Sequence, residues 1–154
     1  MPPSLNIDLI RRVYECASIR RWNDQVRPVE FTELDKQAHK MIIAYVLGRF
    51  EQEAGRTVDW LRLIEGGIFE MLHRILLTDI KPPVFHKMMR EKGEELNRWV
   101  LSSLDAAVGP VKGEFRERFR KHLFEKDYAY REKRLLEAAH FLATQWEFNI
   151  LYKM

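Results

Sequence analysis

Five histidines are the side chains of this sequence best suited to acid–base chemistry or metal binding, yet none belongs to a compact metal motif. The chain has no HExxH sequence and no cysteine cluster, so local spacing alone indicates no metal site. His39 lies one position from an apolar stripe, and His140 is flanked by Ala138, Ala139 and Phe141. Small neighbours leave room for a second group beside each ring. On these residues alone, a buried histidine with one hydrogen-bond partner is the favoured interpretation.

Two short polar segments offer groups that could bind a phosphate. Arg21 and Trp22 combine a cation with a ring that can stack on a base, although a basic helix end with a core tryptophan is the favoured local interpretation. Asp79 and Lys81 precede the Pro82-Pro83 pair, where Asp79 could orient an attacking water. Both this role and a helix-capping role remain open for Asp79, whereas Lys81 fits a solvated side chain better.

A basic segment over residues 111–134 carries nine Lys or Arg and five Asp or Glu. Such an excess could bind nucleic acid or acidic lipid. The signs are interleaved, however, as on a solvated helix face with many ion pairs, so nucleic acid is not the expected partner.

Composition limits the remaining classes of protein. The 154 residues fit one domain over 1–154, with 46% hydrophobic and 32% charged residues, which is typical of a globular chain. The lone Cys16 cannot form an internal disulfide, which favours a reducing, cytoplasmic compartment. Neither a signal peptide nor a membrane-spanning run is predicted, and the net charge of +3 permits an anionic partner.

The elements that must position these groups are helices, because apolar residues recur at helical spacing nearly everywhere. We predict an all-α, compact bundle of six or seven helices. The expected helices span about 5–18, 32–54, 57–75, 84–104, 111–126 and 128–152. Thr32 is predicted to cap the second helix together with Asp35, and Gly55 to end it.

Periodicity also predicts which faces are buried. At Gly66-Gly67 the third helix either bends or packs very close to a neighbour, and Gly93 is a candidate break in the fourth. The predicted inner stripe of the first helix is Ile10, Val13, Tyr14 and Ala17. That of the second is Leu34, Ala38, Met41, Ile42, Tyr45, Val46 and Phe50.

The order of these features resembles a known family. An Arg-Trp pair follows the first helix, a histidine lies in the second, a later helix runs into Thr78-Asp79 before Pro82-Pro83-Val84, and the last helix reads Ala139-His140-Phe141. The arrangement is similar to the HD-domain phosphohydrolases, particularly their 5′-deoxynucleotidase branch, over roughly residues 9–148. The resemblance implies an HD-like helical fold and a metal-dependent phosphohydrolase acting on a nucleotide or a small phosphate ester.

In that branch a histidine of the second helix, a His-Asp pair and a late aspartate hold a divalent metal. His39 matches the first histidine. His73 can match the pair's histidine, but Arg74 follows it where the family has aspartate; anchored instead on the Thr78-Asp79 turn, the pair falls on Met71-Leu72 and both ligands are absent. His140 stands where the late aspartate belongs.

The remaining positions carry the family's substrate contacts. Arg21 and Trp22 match its substrate-contacting pair, and Asp79 matches the aspartate at the turn. The family's acidic catalytic residue has no equivalent, since Leu77 stands four residues after His73.

The altered ligand set leaves two functions open. If His39, His73 and His140 converge, neutral ligands favour zinc, nickel or copper over magnesium or manganese, with cobalt and manganese still among the metals to test. If they do not, the fold is a metal-free binding module for a nucleotide or a protein. A homodimer is also expected, because Trp99, Phe115, Phe119 and Phe124 offer more apolar area than two helices need.

Overall fold

The computed structural model describes residues 7–22, 26, 28–77, 82–107 and 113–153. Within these ranges the chain is all-α, which confirms the predicted fold class. The helices are α1 (Ile7–Tyr14), α2 (Glu33–Glu53), α3 (Trp60–Leu76), α4 (Pro82–Ala107), α5 (Glu114–Phe124) and α6 (Tyr130–Lys153), with a 3₁₀ turn at Glu15–Ser18. The described ranges contain no β-strand, only one isolated antiparallel bridge between Arg20 and Thr32.

The ends of α2 form as predicted. The Asp35 amide donates to Thr32 Oγ1 at 3.2 Å, and the Thr32 amide donates to Asp35 Oδ2 at 2.9 Å. This reciprocal capping box satisfies backbone donors that the first turn would otherwise leave without partners. After Ala54 the chain leaves the helix through Gly55, whose φ of +78° suits a residue without a Cβ atom.

The glycines of α3 and α4 mark the two irregularities expected there. α3 continues through Gly66-Gly67, and a methyl group at Gly67 would overlap the side chain of Met41, so the close-packing alternative is the one observed. In α4 the backbone leaves helical geometry at Lys92, with φ −139° and ψ 29°, directly before Gly93. The predicted break is therefore confirmed as a kink.

The chain divides into two compact units. Unit 1 contains residues 1–14 and 69–128, and unit 2 contains residues 15–68 and 129–154. Helix α3 contributes its first half to unit 2 and its second half to unit 1. The single domain expected from chain length stays a prediction.

Unit 2 is built on the packing of α2 against α6. Its apolar core contains Ala44, Leu63, Leu136 and Ala139, each at most 1% exposed. Small residues on both helices bring the two backbones close together. The face of α2 that this packing covers includes charged residues.

The predicted inner stripe of α2 is largely wrong. Ile42 is 65% exposed, Tyr45 57% and Phe50 62%, and Val46 is exposed as well. Periodicity identifies two opposite faces of this helix but does not say which one meets α6. The covered face is the one that carries Glu33, Lys36, Gln37, Lys40, Ala44 and Gly48.

Unit 1 has an aromatic core. The Phe69 ring lies 5.2 Å from that of Phe115 and 5.0 Å from that of Phe119, centroid to centroid, and all three residues are buried. Two of the four residues that suggested a dimer are therefore core residues, although Trp99 is half exposed. The homodimer stays a prediction, and fewer aromatic residues are left to support it.

The first helix also buries a different side from the one expected. Ile10 and Tyr14 are exposed, whereas Leu9 is buried in α1 and Cys16 is buried in the turn after it. The short α1 ends at Tyr14, so Ala17 lies in the 3₁₀ turn rather than on a continuous helical stripe.

Candidate functional site

A set of polar side chains is buried between α2 and α6 of unit 2. On α2, Glu33, Lys36, Gln37 and Lys40 follow the i, i+3, i+4, i+7 spacing of one helix face. All four are at most 4% exposed. Burying charged groups costs free energy unless each finds a partner, so their partners define the site. We call these four residues, with Arg21, His140, Thr144 and Glu147, the polar cluster.

Arg21 links two carboxylates of the polar cluster. Its Nη1 donates to Glu33 Oε2 at 3.0 Å, and its Nε donates to Glu147 Oε2 at 3.0 Å. All three side chains are at most 14% exposed. Charge-assisted bonds of this kind are stronger than neutral ones, so Arg21 ties the start of α2 to α6.

Trp22 is held by the carboxylate of Glu147, which also binds Arg21. Its Nε1 donates to Glu147 Oε2 at 2.8 Å, and its ring centroid lies 6.5 Å from that of Phe148. The Trp22 backbone has a φ of 57°, in the left-handed region that costs a non-glycine residue about 1–2 kcal/mol. The hydrogen bond to Glu147 offsets part of this cost. The Arg-Trp pair found in the sequence is thus brought together with Glu147.

Lys36 has a different kind of partner. Its Nζ lies 3.3 Å from His140 Nε2, and no carboxylate of the described residues lies within ion-pair distance of it. Burial first, and then the charge of Arg21, lower the pKa of Lys36 to about 8. Lys36 is therefore still mainly protonated at neutral pH, as a buried ammonium beside a histidine.

His140 is kept neutral by its surroundings. Although His140 is exposed, and not buried as its neighbours in the sequence predicted, loss of water around the ring, followed by the charges of Lys36, Lys40 and Arg21, lowers its pKa to about 4. A neutral ring that accepts from Lys36 at Nε2 carries its proton on Nδ1. Arg21 and Lys36 also lower the pKa of Glu33, which favours the charged form of this carboxylate. Burial alone would raise the pKa of Glu33, but Arg21, Lys36 and the Gln37 amide hold it below its usual value.

Two buried polar atoms of the cluster have no hydrogen-bond partner among the described residues: Gln37 Oε1 and Thr144 Oγ1. The Gln37 amide orientation is fixed, because its Nε2 donates to Glu33 Oε1 at 2.9 Å. Gln37 therefore presents an acceptor, while the Thr144 hydroxyl can donate or accept. Thr144 lies four residues after His140 and three before Glu147, so it shares their side of α6.

The predicted metal ligands lie in different surroundings. His39 packs edge-on against the Trp146 ring, with centroids 4.9 Å apart, and His140 contacts Lys36. His73 belongs to unit 1, where its Nε2 lies 3.3 Å from Asn97 Oδ1. In the part of the chain that the structure describes, no group of three or more His, Cys, Asp or Glu side chains is placed to hold a metal ion. The three-histidine site stays a prediction.

Asp79 and Lys81, the predicted catalytic residue and phosphate contact at the turn, lie outside the described residues.

Within the basic segment, helix α5 shows the interleaved ion pairs expected of a solvated face. Arg116 bonds to Asp105 at 2.7 Å, and Arg120 bonds to both Glu117 and Glu125 at 2.8 Å. Much of its positive charge is therefore matched within unit 1.

Sequence reasoning missed most of the polar cluster. Glu33, Lys36, Gln37 and Lys40 do carry a signal, since they share one helix face by spacing. The inner stripe predicted for α2 lies instead on the opposite, apolar face, and it excludes these four residues. Glu147 gave no local signal, because its partner Arg21 lies 126 residues away.

Comparisons with known proteins identify no relative. No family model matches the chain, and neither a curated protein nor a solved structure matches it. None of the helices in the described ranges combines the length and apolarity needed to cross a membrane.

Proposed function

We propose that this chain is a binding module for a small phosphorylated molecule, a nucleotide or another phosphate ester, held at the polar cluster of unit 2. The observation that carries the proposal is the buried Lys36 ammonium, which contacts the neutral His140 instead of a carboxylate. Glu33 and Glu147 are close enough to influence Lys36, but both are bonded to Arg21. An anion beside Lys36 would offset the cost of burying its charge.

The hydrogen-bonding pattern also fits a phosphate ester. Gln37 Oε1 requires a donor, and Thr144 Oγ1 can donate to an acceptor. A phosphate monoester has a second pKa near 6, so it offers acceptor oxygens and, in part of the population, an O–H donor. A nucleotide adds sugar hydroxyls as further donors. The groups that such a ligand would match are the Lys36 ammonium, Gln37 Oε1 and Thr144 Oγ1.

Exposed rings on α6 provide the second part of a nucleotide site. Trp146 is 50% exposed, Phe148 43% and Tyr152 57%. Aromatic faces of this kind stack on bases with about 1–3 kcal/mol per base. Trp146 already packs against His39, which orients its ring. In this proposal Arg21 and Trp22 support the site through Glu147 rather than contacting the ligand.

Isothermal titration calorimetry with three probes tests the proposal. The probes are a deoxynucleoside monophosphate, the same nucleoside without phosphate, and inorganic phosphate, all at low salt. We expect the monophosphate to bind at least about tenfold more tightly than the nucleoside, since charge-assisted bonds contribute about 1.5–3 kcal/mol. Equal affinities for the nucleotide and the nucleoside would contradict a phosphate-centred site.

A matched pair of variants locates the binding. Lys36→Met keeps the side-chain length without the charge and is expected to weaken monophosphate binding by about tenfold or more. Lys87→Met removes the same charge from α4, where the lysine is exposed, and should leave binding unchanged. Similar losses in the two variants would mean that net charge, rather than the polar cluster, governs binding.

A metal-dependent phosphohydrolase is the second candidate function. The observation that favours it is the placement of His39 and His140 on α2 and α6, the two helices that pack together in unit 2. This placement agrees with the order of residues that resembles the HD-domain hydrolases. A hydrolase would need a metal, which His39 and His140 could hold only with further ligands.

Elemental analysis and a phosphate-release assay test this second candidate. The purified protein is assayed with deoxynucleotides and added Mn, Co, Ni or Zn, beside His39→Ala, His140→Ala and the control His86→Ala. Stoichiometric metal that is lost in the first two variants only, together with phosphate release, would support hydrolysis. Absence of both metal and phosphate release with every ion would leave the binding module as the function.

A further inference from the structure

Unit 1 contains a cavity that the proposed phosphate site does not use. Its volume is about 220 Å³. The wall includes both apolar and hydrogen-bonding side chains, among them Phe69, Glu70, His73, Met89, Asn97 and His122. Pockets for drug-sized ligands have volumes of about 300–1,000 Å³, so this cavity suits a smaller molecule with one ring or a short chain.

A chain of hydrogen bonds fixes the proton of His73. Asn97 Nδ2 donates to the backbone carbonyl of Leu123 at 3.2 Å, which orients the Asn97 amide. Asn97 Oδ1 consequently faces His73 Nε2 at 3.3 Å and can only accept, so Nε2 carries the ring proton. Nδ1 is then the acceptor of the ring. Burial also lowers the pKa of His73, against the smaller opposing effect of Asn97, so the ring is neutral at neutral pH.

The described residues of the wall are rich in hydrogen-bond acceptors. Among the described residues that line the cavity there is no lysine and no arginine. Glu70 supplies a carboxylate, Met89 a polarisable sulfur, and Phe69 and His122 two rings whose centroids lie 5.4 Å apart. A carboxylate and the face of an aromatic ring such as Phe69 both favour a cation over an anion.

We propose that this cavity binds a small organic cation, an amine or amidine that donates N–H to His73 and places its charge beside Glu70 and the aromatic rings. The proposal is independent of phosphate binding in unit 2, because every residue invoked lies in unit 1. The acceptor atom of His73 and the carboxylate together select a cationic donor. The volume limits it to about the size of benzylamine.

NMR titrations with three probes of equal size test this proposal. Benzylamine carries a positive charge, benzyl alcohol none and benzoate a negative one. We expect benzylamine to shift the His73 and His122 ring resonances and to bind at least tenfold more tightly than the other two. Equal binding of the three probes, or preference for benzoate, would overturn the proposal.

Variants assign the binding to this cavity. His73→Phe removes the acceptor but keeps a ring, and we expect at least a tenfold loss of benzylamine affinity. His86→Phe makes the same change at an exposed position of α4 and should have no effect. Glu70→Gln preserves shape and decides the question if His73→Phe does not fold. Unchanged affinity in Glu70→Gln, or an equal loss in His86→Phe, would contradict the assignment.

Discussion

The two units keep a histidine neutral in different ways. In unit 1 the partner of His73 is the Asn97 amide, which a backbone carbonyl holds in place. In unit 2 the partner of His140 is the amine of Lys36, and the surroundings are charged. In unit 1, therefore, the partner of His73 Nε2 is a neutral group. Unit 2 retains a buried ammonium whose hydrogen-bond partner is a histidine, and this difference favours an anionic ligand in unit 2 rather than in unit 1.

The largest expected effect comes from breaking the charge network of unit 2. Glu147→Ala removes the partner of Arg21 and Trp22 and leaves a buried guanidinium with one carboxylate fewer. Loss of one partner from a buried ion pair costs about 3–5 kcal/mol of unfolding free energy. Urea denaturation measures this loss. Glu137→Ala breaks an exposed pair with Arg134 on the same helix and should cost less than about 1 kcal/mol.

The pH dependence of stability tests the buried ammonium of unit 2. The pKa of Lys36 falls from an ordinary 10.5 to about 8 on folding. Between these values the unfolded chain binds a proton that the folded chain does not, so stability should rise with pH over this window. The contribution is at most about 3 kcal/mol by linkage. Urea midpoints from pH 7.5 to 10.5 should rise more in the native protein than in Lys36→Met, and parallel curves would contradict the assignment.

Breaking the hydrogen bonds that link Leu123, Asn97 and His73 in unit 1 should cost less unfolding free energy. Asn97→Leu leaves the His73 ring and the Leu123 carbonyl without their partner. An unsatisfied buried polar group costs about 1–3 kcal/mol. The half-buried Asn149 of α6 provides the control, and Asn149→Leu should change the urea midpoint less. An equal effect in the two variants would show that the hydrogen-bond chain contributes no particular stability.

The smallest expected effect is a difference between the titration midpoints of His140 and His73. NMR titration of the ring protons should place the midpoint of His140 near pH 4 and that of His73 below its ordinary value of 6.5. Lys36→Met removes a neighbouring positive charge and should raise the His140 midpoint while leaving that of His73 unchanged. An unaltered His140 midpoint would mean that Lys36 does not act on this ring.

The sequence predicted where helices begin and end better than it predicted which helix faces are buried. Helical periodicity, the Thr32 cap and the Gly55 end identified α2 closely, because these signals are local. The buried side of α2 was predicted wrongly because the helix has two continuous faces, one apolar and one charged, and either could be buried. The choice between them depends on Arg21 and Glu147, which the fold brings together from distant positions.

The candidate site was predicted in part for the same reason. Arg21, Trp22 and His140 were selected as residues and do lie in unit 2, but their partners Glu147 and Lys36 carried no motif. His73 is predicted only as a match to the histidine of the family's His-Asp pair, and its partner Asn97 lies 24 residues away. Single-residue chemistry can be inferred from sequence, whereas the groups that set its charge state come from tertiary contacts.

The most direct test of the central claim is the titration midpoint of Lys36 itself, with and without a deoxynucleoside monophosphate. NMR of the lysine side chains, with the Lys36 signal assigned by its absence in Lys36→Met, provides this midpoint. Without ligand we expect it near pH 8. A bound phosphate would stabilise the ammonium and raise the midpoint by about one pH unit or more, since each unit corresponds to about 1.4 kcal/mol. An identical midpoint at saturating nucleotide would contradict phosphate binding at the polar cluster.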